Sequence, residues 1–182
     1  MSRHKLLPLF AALAFAVTSE ADAQSASVLE YAAKFTCERA PASEAAGGGD
    51  ADIVVGVYAT SINIHNPQRH TKISFTKKVV LAKLEGQAAA TPVKQQDTLG
   101  PDQAEFIDCP LIFSLLGIAT PSHIEGFAVI EVPPTEVPTS TGKGRHAVLL
   151  PLDIVGRYSA RPSTGEVSAL EVVVFSPTQI SH

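Results

Sequence analysis

Two cysteines, Cys37 and Cys109, are all that this 182-residue chain contains, and they stand far apart. That separation excludes a C-x-x-C redox motif or a compact cysteine metal site. No adjacent pair of arginines occurs, so no twin-arginine leader is present. No apolar run beyond residue 17 approaches spanning length: Val79–Leu84 and Ala147–Leu152 are each strand-sized, which excludes a further spanning helix. Basic residues are also few. With 14 Lys and Arg against 18 Asp and Glu, the formal net charge is -4, and a mildly acidic surface argues against nucleic-acid binding. No G-x-S-x-G elbow is found; Gly47-Gly48-Gly49 lacks the lysine and helix of a phosphate cradle, and Gly142-Lys143-Gly144 lacks its glycine spacing. Helical periodicity is nearly absent, which favours an antiparallel sandwich over layered α/β architectures.

What the chain does carry begins with a leader. Arg3, His4 and Lys5 precede the apolar stretch Leu6–Val17, and Ala21-Asp22-Ala23 forms a small-x-small cleavage site. The stretch of about 12 residues, rising ~1.5 Å each, is too short for a ~30 Å hydrocarbon core. Residues 1–23 therefore read as a secretory signal peptide, and 24–182 as one exported domain, periplasmic or secreted. No cysteine follows the cleavage site to take a lipid. Export delivers Cys37 and Cys109 to an oxidising compartment, where an isolated pair bonds, closing a loop of roughly 70 residues.

Strand signals run through the mature chain. In Ile53–Asn66, Tyr58, Thr60, Ile62 and Ile64 alternate with Ala59, Ser61, Asn63 and His65, marking the first set as the core face. Asn66-Pro67 ends that strand. Thr71–Leu84 resumes alternation with Ile73, Phe75, Val79 and Leu81 inward, which reads as its hairpin partner, with Lys77 marking a bulge. Ala32–Cys37 is a first strand after a frayed arm, Arg39–Asp52 a loop, and Glu85–Asp97 a second loop. Glu105–Cys109 is a short strand, Pro110 opens a short helix that ends at Gly117, and Phe127–Val132 is a central strand. Residues 133–145, rich in Pro, Thr, Ser and Gly, read as an exposed insertion, followed by strands at Ala147–Leu150, Leu152–Ser159 and Ser168–Phe175. The expected fold is all-β: an antiparallel two-sheet sandwich of about seven to eight strands with one short helix.

Chemistry-bearing residues are sparse. Asn63, His65, Asn66 and His70 form the densest polar group and are a candidate binding site, although two histidines without a fixed carboxylate fall short of a metal-ligand set, so no metal, cofactor or catalytic residue is assigned. Asp102 with Glu105, and Glu131 with Glu136, read as solvated carboxylates. Lys143, Arg145 and His146 make a small basic spot in a loop.

The segments Phe35-Thr36-Cys37, Tyr58-Ala59-Thr60-Ser61-Ile62-Asn63-Ile64-His65-Asn66-Pro67, Leu99-Gly100-Pro101-Asp102, Ile107-Asp108-Cys109, Gly126–Glu131 and Leu152–Tyr158 resemble a family of bacterial exported β-sandwich proteins of uncharacterised function. The resemblance implies fold and export, not activity. In that family the last two segments lie close together, whereas here Val132–Pro151 intervenes. A looser likeness, in the strand-Asn-Pro-turn-strand layout, runs to the small sandwich transducers that partner bacterial sensory rhodopsins. Those act in the cytoplasm, so a leader leaves only the fold analogy. The expected function is a non-enzymatic exported binding or structural module for a protein or small ligand. The alternative is a metal-dependent or hydrolytic enzyme built on Asn63, His65, Asn66 and His70.

Overall fold

A computed structural model describes residues 27–40, 56–82, 92–119, 123–140, 142–162 and 169–181. The leader read over 1–23, the Gly47–Gly49 stretch and residues 85–91 of the second loop lie outside the described residues. Eleven strands and one helix are described: β1 (Ser27–Ala40), β2 (Gly56–His65), β3 (Ile73–Leu81), β4 (Lys94–Leu99), β5 (Ala104–Asp108), α1 (Cys109–Leu116), β6 (Ile124–Val132), β7 (Thr135–Pro138), β8 (Arg145–Val148), β9 (Asp153–Pro162), β10 (Ala169–Phe175) and β11 (Thr178–Ser181). All pairings are antiparallel. Nine strands join in the order β10-β9-β2-β1-β6-β3-β4, with β11 beside β1 and β5 beside β2; β7 and β8 pair only with each other. Among the described residues no helix is long and apolar enough to cross a membrane.

The sandwich arises because β1 changes partner along its length. Leu29–Cys37 pair with β6, and Glu38–Ala40 pair with β2. Glu38 lies at the change-over with φ 69°, a left-handed conformation that turns the strand. One layer is thus β11-β1-β6-β3-β4 and the other β5-β2-β9-β10. Side chains at every second position of each layer meet in one core, where Phe35, Ile73, Phe75, Val79, Ile130 and Val132 pack with Ile62, Ile64, Ile107 and Ile154. Each such side chain contributes about 1.5–3 kcal/mol on full burial. Phe35 fits because position 126 is glycine: a Cβ there would lie 2.8 Å from Phe35 Cζ and 2.1 Å from the Val80 carbonyl oxygen.

Polar clasps tie the layers together. Thr60 is buried, and its Oγ1 accepts from the Thr36 N–H (3.0 Å) while its hydroxyl donates to the Thr36 carbonyl (2.9 Å), standing in for a missing strand neighbour. The Tyr31 hydroxyl donates to the Leu152 carbonyl at 3.0 Å and accepts from its N–H at 2.9 Å. The expected disulfide is present, joining Cys37 at the end of the β1–β6 ladder to Cys109 at the start of α1. Helix α1 starts as the sequence suggests, with Pro110 in its first turn and Asp108 accepting from the Leu111 N–H, and stops at Gly117 in a left-handed conformation.

Several local expectations need correction. β2 and β3 are not a hairpin: β2 pairs with β1, β5 and β9, and β3 with β4 and β6. Alternation specifies which face a strand buries but not its neighbour. Part of the second loop is β4. The insertion over 133–145 is not wholly irregular, since Thr135–Pro138 and Arg145–Val148 form a two-stranded ribbon. β1 begins in the supposed frayed arm, and β11 was not anticipated. Lys77 is no bulge: the β3 register runs unbroken through it, and its side chain points into the core.

Candidate binding trough

The four polar residues singled out in the sequence do not converge. Asn63 is exposed on the outer face of β2. His65, two residues on, is held between carboxylates, with Nδ1 3.1 Å from Asp153 and Nε2 3.1 Å from Asp102. Those contacts, that to Asp102 foremost, raise the His65 pKa above its ordinary 6.5. Asn66 is fully buried and faces the other way. Its Nδ2 donates to the carbonyls of Thr71 (2.9 Å), Leu99 (3.1 Å) and Gly100 (2.9 Å), and its Oδ1 accepts from the Gln68 N–H (3.0 Å). It organises the turn rather than a site. His70 is exposed on the connection to β3. Among the described residues no three His, Cys, Asp or Glu side chains are grouped to hold a metal.

The concave surface lies instead along β2 and β9. At the seam where β1 changes partner, a cleft of about 420 Å³ is walled by Tyr58, Tyr158, Phe175, Val173, Lys34 and Glu171, with Thr36 and Thr60 at its floor. Three half-buried rings and one charge of each sign meet here, a mostly apolar hollow with few polar groups. The Tyr158 hydroxyl donates to the Lys34 carbonyl at 2.7 Å; burial, then the Glu171 carboxylate, raises its phenol pKa. A second hollow of about 510 Å³ is lined by Ser61, Asn63, Phe106, Asp108, Arg157 and Pro110. Both are lined by Ala59, Thr60 and Ser159, yet they open on opposite sides of the β2–β9 pair: Tyr58, Thr60, Tyr158, Glu171 and Val173 share the side of Ile62 and Ile154, whereas Ser61, Asn63 and Arg157 line a separate trough on the outer side.

Register explains the second hollow. Ser61 pairs with both Asp108 and Arg157, and Arg157 with Val172; Asn63 pairs with Phe106 and Val155, and Val155 with Val174. Directly paired residues share a face, so the outer side of β5-β2-β9-β10 presents Phe106, Val172 and Val174, 59%, 60% and 73% exposed, around Asn63 and Arg157. The opposite layer is different. There Lys78 bonds Glu131 and lies 3.7 Å from Glu30, Lys94 lies 3.6 Å from Glu131, and Lys34 3.5 Å from Glu125. Of the trough residues, Asn63 alone had been singled out as a candidate. Tyr58 was assigned to the core, Arg157 stood only within the Leu152–Tyr158 segment of the family resemblance, and Phe106 carried no motif; their signal is strand pairing, which periodicity does not contain.

A second polar centre lies inside the sandwich. Lys77 Nζ is 3.1 Å from Asp97 Oδ2 on β4 and 2.8 Å from Glu105 Oε1 on β5, with 5% of its side chain exposed. Burial alone would lower the Lys77 pKa, but its bonds to Glu105 and Asp97 outweigh that and raise it. Burial raises Glu105, which Lys77 only partly offsets, whereas for Asp97 the burial effect is overcome by the Thr98 N–H and Lys77, leaving it lowered. The sequence hint was an inward lysine in an otherwise apolar series, which demands carboxylates nearby.

No family model, curated protein or solved structure matches this chain.

Proposed function

We propose that the protein is a non-enzymatic exported binding module, akin to the bacterial exported sandwich family its motifs resemble, that captures a glycan in the outer trough. The supporting observation is the outer trough, where the exposed ring of Phe106 stands beside exposed Asn63 and Arg157 and half-buried Asp108. Sugar rings offer apolar C–H faces to aromatic side chains and hydroxyls to amide, guanidinium and carboxylate groups, the same two chemistries the trough presents in sequence. The leader pattern over 1–23 supports export, and the buried disulfide fits an oxidising compartment.

Glycan-array and calorimetric binding with the purified mature protein test this. Saturable capture is expected, lost in Arg157→Ala and Phe106→Ala, whose exposed side chains leave the melting temperature unchanged. Failure of the parent protein to capture anything from a glycan panel or periplasmic extract would remove ligand capture and leave a structural role.

A further inference from the structure

We propose that the folded protein joins Lys77 to Asp97 by an amide bond between Nζ and the Asp97 side-chain carboxyl carbon, with Glu105 carrying the proton. The inference is independent of ligand binding. Its basis is placement. Lys77 pairs with Gln95, so Asp97, two residues further along β4, projects on the same inner face of the adjacent strand. Glu105 arrives from the opposite layer, and both carboxylates contact the single amine at 3.1 and 2.8 Å. Around them Lys77 lies between Phe75 and Val79 on its own strand and opposite Ile130 on β6, all buried.

An amine and a carboxylate in water do not condense, because each is solvated and water is in excess. Here neither condition holds for Lys77. Contact at fixed geometry replaces a bimolecular encounter with an intramolecular one, for which effective molarities reach about 10⁵–10⁸ M. Against burial, the bonds to Glu105 and Asp97 keep Lys77 protonated, so condensation needs a proton carrier at the amine, and Glu105 at 2.8 Å is placed to be one. Glu105, whose carboxyl holds its proton more readily than Asp97, takes one proton from Lys77 and passes it to an Asp97 oxygen. The neutral amine attacks the Asp97 carboxyl carbon and the C–N bond forms; Glu105 takes a second proton from the nitrogen and gives it to the leaving oxygen as the C–O bond breaks. The ammonium and carboxylate give one amide and one water, with no oxidant, reductant or co-reactant. Asp97, about a third exposed, provides the exit for that water.

High-resolution mass of the intact, reduced protein tests this against the mass calculated for its own N-terminus. A deficit of about 18 Da is expected, one water, resolved from the roughly 17 Da that a cyclised N-terminal glutamine loses as ammonia. Fragmentation should link the peptides that carry Lys77 and Asp97. Lys77→Arg and Glu105→Gln should restore the full mass while circular dichroism shows the strand content retained. A parent protein without the deficit overturns the proposal, as does a deficit that persists in Lys77→Arg or a link mapped to Glu105.

Discussion

Asn66 places one amide group among three backbone carbonyls from two separate stretches of chain, Thr71 on one side and Leu99 with Gly100 on the other. Its own backbone N–H donates to Gln103 and its carbonyl accepts from Asp102, so both loops close around it. Removing a buried donor leaves its acceptors unsatisfied at about 1–3 kcal/mol each way. Asn66→Ala should therefore lower unfolding free energy by about 3 kcal/mol in urea denaturation, and Asn66→Asp by more, since a carboxylate would face carbonyl oxygens. A loss below about 0.5 kcal/mol would show that the turn holds without it. His65 makes a different prediction. Its folded pKa is raised above 6.5 by Asp102 and Asp153, so its contribution to stability is present below 6.5 and disappears as pH rises through the folded value. NMR titration should find that raised value, with Asp102→Asn and Asp153→Asn each lowering it and salt diminishing it, because the ring is partly exposed. A His65 that titrates at its ordinary value would remove the pairing.

Among the elements, the decisive one is β1, which belongs to both layers. The Cys37–Cys109 bond fastens the point where β1 leaves β6 to the junction of β5 and α1, so it holds the two layers together at the seam. The residues are 72 apart in sequence, and closing a loop of that size stabilises by up to about 4 kcal/mol in the chain-entropy model. Cys37→Ser with Cys109→Ser should show that loss in denaturant midpoint, and a reductant should destabilise the parent but not the double variant. The bond was legible because a leader-like sequence pattern and an isolated cysteine pair suffice to expect one. The strand faces were legible too: Ile62 and Ile64 on β2, and Ile73, Phe75 and Val79 on β3, are buried as their alternation required. Partner choice was not legible, because β2 and β3 carry the same period and nothing in it assigns them to different layers. Lys77 was misassigned for a related reason: its carboxylate partners sit 20 and 28 residues away, on β4 and β5. The trough was hidden likewise, since Asn63, Phe106, Arg157 and Val174 become neighbours only through pairing.

At the scale of the molecule, the two outer faces divide their roles. The β5-β2-β9-β10 face presents apolar side chains and the trough, whereas the β11-β1-β6-β3-β4 face is closed by the cluster of Glu30, Glu131, Lys78 and Lys94. That cluster should set part of the response to acid. The hydrogen bond from Lys78, outweighing burial, lowers the Glu131 pKa below its ordinary 4.5. A depressed carboxylate contributes stability that is present above 4.5 and lost as pH falls through the folded value. Lys78→Met keeps an apolar stem on the sheet but removes the charge. It should cost about 1 kcal/mol at pH 7, the scale of a partly exposed pair, and flatten the fall in urea midpoint below pH 4.5 while leaving ligand capture on the opposite face intact. A variant as acid-sensitive as the parent would place that sensitivity outside this cluster, and one that lost capture would show the two faces to be coupled through β1, the strand that both layers share.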